Sequence, residues 1–307
     1  MKIFVAGATG VIGRRLVPLL VASGASVSAV ARTNPKAAQL KKQGATPVRV
    51  DLFDPAAVEA AVSGHDAVIN VATKIPTGFR SFLPSSFAEN IRIRTEASQN
   101  LALAAINTRA RTFIQESFAP VYPDRGEEWI DESVPIQPAS YVRSVADAES
   151  AAAEFTKSGG SGIVLRFSFF YGPDSPHTQL MVNSVRRGFT PALGAADSFM
   201  SSIWLDDAAS AVCAALSVPA GTYNITDDAP MRRREAFDLL ATELGVKKPR
   251  MLPRWVSGAM GSVSETLGRS QRISNAKFRQ ATHWVPRVPS LQEGWKRVAK
   301  EIGSNSR

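Results

Sequence analysis

The chain has 307 residues, 44 % of them hydrophobic and 21 % charged, a balance that allows one large or two medium folded domains and excludes a low-complexity polymer. A single cysteine, Cys213, excludes an intrachain disulfide and reads as a small buried apolar residue in a reducing compartment. The formal charge of +9 is concentrated in residues 231–307, which hold 16 Lys/Arg against 6 Asp/Glu, and its scatter without interleaved aromatics predicts a solvated surface and no nucleic-acid partner. No apolar run approaches ~18 residues, and no leader pattern precedes the first strand, so a cytoplasmic protein without a membrane partner is expected.

The first element is the apolar run Ile3-Phe4-Val5-Ala6, followed by Gly7-Ala8-Thr9-Gly10-Val11-Ile12-Gly13 and the helical pattern from Arg14 to Leu20. Glycines between a strand and a helix permit tight turns and close backbone approach, and the positive end of the helix attracts phosphate. Gly7, Thr9, Gly10, Val11, Ile12 and Gly13 are therefore expected to hold a dinucleotide pyrophosphate. A second strand at Val27–Ala31 ends beside Arg32, a polar helix spans Asn34 to Gln43, and Pro47–Val50 forms a third strand. Asp54 is placed to cap a helix from Pro55 to Val62. Ala67–Ala72 reads as a buried strand of a parallel sheet, and Thr73 to Ser86 as a loop over the cofactor. A long helix from about Phe87 to Asn107 follows, and Arg111 to Gln115 starts the next strand. After an irregular connection over 117–140 come a helix from Tyr141 to Lys157 and a strand from Ile163 to Tyr171.

This β-α-β-α order predicts an α/β fold with a doubly wound parallel (Rossmann) sheet and ligands outside the carboxyl ends of its strands. Residues 1–172 are expected to form the NAD(P)-binding domain, with strands near 203 and 223 returning to it. The shorter elements of 173–307 suggest a smaller C-terminal substrate-binding lobe.

Several local patterns recur in a fixed order. They are the spacing G-x-x-G-x-x-G at Gly7, Gly10 and Gly13; Asp51-Leu52; Asn70-Val71-Ala72-Thr73; Leu165-Arg166 with Tyr171-Gly172-Pro173; Ile203-Trp204-Leu205-Asp206-Asp207-Ala208; Gly221-Thr222-Tyr223-Asn224-Ile225; and Trp284-Val285-Pro286. In these the chain resembles the extended and atypical short-chain dehydrogenase/reductases, which include NAD(P)-dependent epimerases and dehydratases. The resemblance implies that Asp51 and Leu52 contact the adenine and that Ala72 and Thr73 flank the cofactor. Arg32 replaces the acidic residue of NAD-preferring members and can pair with a 2′-phosphate, assisted by Arg14 or Arg15, so NADP is the expected cofactor and NAD the alternative.

The resemblance also implies a catalytic Tyr-x-x-x-Lys helix and a serine or threonine that orients the substrate oxygen. Tyr141 fits the tyrosine position, but Val145 stands where the lysine is expected and Phe118 where the serine falls, leaving Ser117 just before it. Tyr141 and Ser117 are the catalytic candidates, with Lys74, His177 and Glu116 as further titratable groups and no metal-ligand cluster. Glu116, at the end of a core strand, either reaches solvent, pairs with a base or has a raised pKa. Phe167, Phe169 and Phe170, with Phe118 and Val145, suggest an apolar substrate pocket.

The expected function is an NADP(H)-dependent oxidoreductase acting on a carbonyl or alcohol of a small, fairly apolar metabolite. The alternatives are a sugar-nucleotide epimerase or dehydratase and a non-catalytic NADP(H)-sensing protein. The resemblance further implies a homodimer paired through the helices Phe87–Asn107 and Tyr141–Lys157.

Overall fold

The computed structural model describes residues 1–76, 84–190, 194–251 and 261–304. Residues 77–83 of the expected cofactor loop lie outside the described residues. Apolar strands and amphipathic helices alternate from the start of the chain: β1 Lys2–Ala6, α1 Gly13–Ala22, β2 Ser26–Val30, α2 Asn34–Lys42, β3 Thr46–Val48, α3 Pro55–Val62 and β4 Ala67–Asn70. Asp54 caps α3 as expected, its Oδ1 accepting from the N–H groups of Ala56 and Ala57 at 3.1 Å. Next come α4 Ala88–Arg92, α5 Ser98–Asn107, β5 Thr112–Phe118, β6 Trp129–Ile130, α6 Ser144–Lys157 and β7 Ser161–Phe167.

The helix expected from Phe87 to Asn107 is continuous but not regular. Between α4 and α5 the backbone makes a π turn, Ile93–Ala97, a feature that often re-aims side chains at functional sites. Here it carries Ile93 and Arg94 inward, both buried.

Seven parallel strands form the central sheet in the order β11-β7-β5-β4-β1-β2-β3, where β11 is Gly221–Ile225. Odd and even strand positions feed separate cores, because side chains alternate across a strand. Ile3, Val5, Ile114 and Leu165 pack with α1 on one face, whereas Phe4, Val68, Phe113 and Val164 pack under α3, α5 and α6 on the other. The expected strand Ile163–Tyr171 breaks at Ser168, whose N–H donates to the Ile225 carbonyl. After the break, β8 Phe169–Tyr171 leaves the sheet and pairs with β10 Ser202–Trp204. Of the two expected returning strands, the one near 223 joins the central sheet as β11 and the one near 203 does not.

The C-terminal elements include α7 Pro176–Arg186, β9 Phe199–Met200, α8 Leu205–Ala214, β12 Met231–Arg232, α9 Arg233–Glu243 and the later helices Gly261–Gly268, Ala276–Thr282 and Leu291–Ser304. Tyr171, Trp204, Phe237, Leu240 and Trp295 form a core of their own. Recurring sequence patterns tie the segment 284–288 to α8. Asp207 accepts from the N–H groups of Arg287 at 3.0 Å and Val288 at 2.9 Å, and the Trp284 indole donates to Ser210 Oγ at 2.9 Å. Among the described residues no helix is long and apolar enough to cross a membrane.

Candidate functional site

The carboxyl ends of β1 to β5 open onto a cavity of about 650 Å³, within the size range of small-ligand sites. Thr9, Gly10, Val11 and Ile12 form its floor with Gly7 and Ala72. Gly7 has φ +81°, and a Cβ there would lie 2.4 Å from the carbonyl carbon and oxygen of Val71; only glycine lets this turn rest on the end of β4. A Cβ on Gly13 would meet the Gly7 carbonyl oxygen at 2.2 Å. Gly13 therefore closes the loop against α1 and is not itself a cavity wall. No side chain caps the first turn of α1, and no acidic residue stands there. The turn accordingly suits an anion, and these residues fit a dinucleotide pyrophosphate.

On the β2–β3 side the walls are Arg32, Lys36, Arg49, Asp51, Leu52 and Phe53. Asp51 Oδ1 accepts from the Phe53 N–H at 3.0 Å, which fixes the turn after β3. Val30 is registered on Val48, so the segments that follow β2 and β3 leave the sheet next to each other, and Arg32 and Arg49 both line this wall. Of these three cations only Arg32 is expected from the sequence; basic residues just past the ends of two neighbouring strands are the available signal for Arg49. Arg32 is mostly exposed and touches Glu89 at 3.4 Å, while Glu89 is also paired with Lys74. The Lys74 ammonium holds the Glu89 carboxyl below the usual carboxylate range.

Arg14 and Arg15 do not join this group. Arg14 Nη2 lies 2.6 Å from Asp174 Oδ2, and Arg15 reaches Asp174 Oδ1 at 2.7 Å and Asp206 Oδ1 at 2.8 Å. The anion expected beside these two arginines is thus a pair of carboxylates of the C-terminal part, clamped onto α1, and not a cofactor phosphate. The expectation of their help at a 2′-phosphate is corrected accordingly.

On the β5 side the walls include Ile93, Glu116, Phe170 and His177. His177, in the first turn of α7, is exposed, yet neighbouring atoms strip water from the ring and lower its pKa. Ser117 is not among these walls. Its hydroxyl is fully buried and donates to Glu149 Oε1 at 2.5 Å, on the α6 side of the sheet. Strand alternation sends Glu116 and Ser117 to opposite faces, and Glu116 is the one that lines the cavity.

Tyr141 is also outside the walls. It stands before α6 in a short 3₁₀ turn, Ser140–Val142, with its ring edge-on to Phe87 at 5.3 Å. Burial pushes its phenol up to about 12, the charges of Arg94 and Arg269 offsetting only part of the effect. Val145 is fully buried with Val121, Ala139 and Val142, so this helix brings no cation beside the phenol. Phe118 packs edge-on against Phe169 at 5.9 Å. Neither Tyr141 nor Ser117, the two residues expected to be catalytic, is among the residues that line the cavity. Tyr141→Phe should change turnover by less than about threefold in steady-state assays, whereas a loss beyond tenfold would return the tyrosine to the site.

Glu116 is 4 % exposed, and its Oε1 lies 3.8 Å from Arg94 Nη2 of the π turn. Its Oε2 and the Arg94 Nε have no hydrogen-bond partner. Burial raises the carboxyl pKa, with Arg94 opposing the shift and Glu149 adding to it. Among the described residues no group of His, Cys, Asp and Glu could hold a metal ion.

The model of the NAD-dependent epimerase/dehydratase family matches residues 3–226. The chain is similar to 3-diazoavenalumate denitrifying reductase of a Streptomyces species, at 31 % identity over 96 % of this chain and 99 % of that one. It is also similar to 2-alkyl-3-oxoalkanoate reductase of Shewanella oneidensis, at 27 % identity over 87 % of this chain and 72 % of that one. The fold is that of UDP-glucose 4-epimerase of Thermotoga maritima, with a TM-score of 0.82 at 21 % identity and full coverage of both chains. Joined to a glycine-floored cavity at the carboxyl edge of a parallel sheet, these matches show that the chain belongs to the NAD-dependent epimerase/dehydratase family and is an NAD(P)-dependent oxidoreductase.

Proposed function

We propose that the protein is an NADP(H)-dependent reductase of a carbonyl on a small, apolar metabolite. The observation that carries this reading is the cluster of Arg32, Lys36 and Arg49 on one wall of the cavity, where a dinucleotide whose pyrophosphate sits on α1 would present its adenosine ribose. Three cations at that point suit a 2′-phosphate far better than a neutral hydroxyl. The substrate side is supported by the apolar walls Ile75, Ile93 and Phe170 and by a relative named for reducing an alkyl-substituted oxoalkanoate.

In this reading NADPH, when bound, supplies a hydride to the carbonyl carbon. Gly7 to Ile12 hold the pyrophosphate and Arg32 selects the phosphorylated ribose. Ile93 and Phe170 exclude water around the reacting carbon, which strengthens the electrostatic interactions there. The test is NADPH oxidation over a panel of alkyl and aryl aldehydes and ketones. One alcohol formed per NADPH consumed is expected. An epimerase or dehydratase would return the hydride and show no net oxidation, and tight NADPH binding without turnover would indicate a sensor.

A second reading, hydride delivery to a diazonium carbon, is favoured by one observation: neither Tyr141 nor a lysine at position 145 supplies an acid to the cavity. In that step the hydride pair forms the C–H bond and the C–N bond pair leaves with dinitrogen, so no oxygen needs protonating. A relative named as a denitrifying reductase of a diazo compound points the same way. Gas release stoichiometric with NADPH oxidation would distinguish it.

A further inference from the structure

The cavity holds a buried carboxyl that the expected Tyr-x-x-x-Lys chemistry does not use. Glu116 closes the carboxyl end of β5, registered on Leu165 of β7, and is 4 % exposed while lining the cavity. One of its oxygens faces the Arg94 guanidinium at 3.8 Å, and the other has no hydrogen-bond partner. An unsatisfied buried carboxyl oxygen is expensive unless a ligand or a proton occupies it. The π turn Ile93–Ala97 supplies both the guanidinium behind Glu116 and the apolar Ile93 beside it.

We propose that Glu116 is the proton donor to the substrate oxygen, and that Arg94 is the residue that positions it. The proposal rests on the carbonyl-reductase reading above. A carboxylic acid is also a better acid than a phenol held at about 12. Burial raises the Glu116 carboxyl pKa and so favours the protonated acid, against Arg94 and with help from the nearby Glu149, itself ion-paired with Arg166.

The step balances. The hydride pair leaves the reduced nicotinamide and forms the new C–H bond at the carbonyl carbon. The carbonyl π pair takes the proton from the Glu116 O–H, giving an alcohol, and the nicotinamide is left oxidised. Glu116 becomes a carboxylate, which the Arg94 charge stabilises, and it recovers a proton from solvent at the cavity mouth.

Glu116→Gln keeps the shape and removes the acid. With a ketone that the wild type reduces, kcat should fall about a hundredfold, while NADPH affinity stays within about twofold. Glu116→Asp should restore part of the loss and serves as the second variant if the glutamine form melts early. The wild-type kcat should decline at alkaline pH as the carboxyl ionises, and the decline should vanish in Glu116→Gln. In Arg94→Met it should move to higher pH, because removing a cation raises the pKa of the acid beside it.

Infrared difference spectra of wild type minus Glu116→Gln at pH 7 should show the carbonyl band of a protonated carboxylic acid. No such band, or full turnover with an unchanged pH profile in Glu116→Gln, overturns the role of Glu116 and leaves the reductase reading standing. A wild type that binds NADPH and reduces no carbonyl overturns both.

Discussion

Arg32→Ala is expected to weaken NADPH binding by about tenfold to a hundredfold and to leave NADH binding within about twofold, as read by nucleotide fluorescence titration. The size follows from losing a hydrogen-bonded ion pair worth about 1.5–3 kcal/mol, at 1.4 kcal/mol per factor of ten. The Arg32 side chain is 65 % exposed, and its contact with Glu89 is a long 3.4 Å, so little has to be broken for the guanidinium to turn to a phosphate. Glu89 keeps its partner Lys74 when Arg32 leaves. Lys36 and Arg49 line the same wall, which sets the lower bound: each retains part of the attraction, and removal of all three should abolish the preference. Because the cluster faces solvent, the preference should also shrink as salt rises. Equal affinities for the two nucleotides in the wild type would overturn the NADP(H) assignment.

Much of this site was legible because its parts are local. A glycine loop between a strand and a helix, an Asp54 cap and an arginine two residues past the end of a strand are all set by near neighbours, and each stands where it was expected. What was not legible depends on parity and on distant partners. Glu116 and Ser117 are adjacent at the end of one strand, and composition does not reveal which parity faces the cavity. The structure resolves it through Ile114 and Phe113, which feed the cores on opposite faces of the sheet. Arg14 and Arg15 were read against a helix terminus alone, whereas their partners Asp174 and Asp206 lie more than 150 residues away in sequence. The π turn that brings Arg94 to Glu116 lies inside a stretch whose apolar spacing reads as plain helix. Its insertion is decided by what the side chains meet across the fold.

Glu149→Ala should lower stability by about 3–5 kcal/mol, since it leaves a buried guanidinium without its counter-charge. On a chain of 307 residues that corresponds to a fall in Tm of roughly 5–8 °C by calorimetry. Arg166 donates to both Glu149 oxygens, from Nε at 2.8 Å and from Nη2 at 2.6 Å, with side chains 8 % and 12 % exposed. Its Nη1 donates to the Tyr122 hydroxyl at 2.7 Å, and that hydroxyl donates to Asn224 Oδ1 at 2.9 Å. With Ser117 bonded to the same carboxylate, the network ties α6, β5, β7 and β11 together immediately behind Glu116. Ser117→Ala should therefore cost about 1 kcal/mol of stability and little turnover, the reverse of what a substrate-orienting serine would show. Replacing Glu149 and Arg166 together by leucine and methionine should recover much of the loss, because apolar side chains of similar size carry no unpaired charge. If Glu149→Ala melts with the wild type, Arg166 must reach water, and the rigid backing assigned to the β5 edge is wrong.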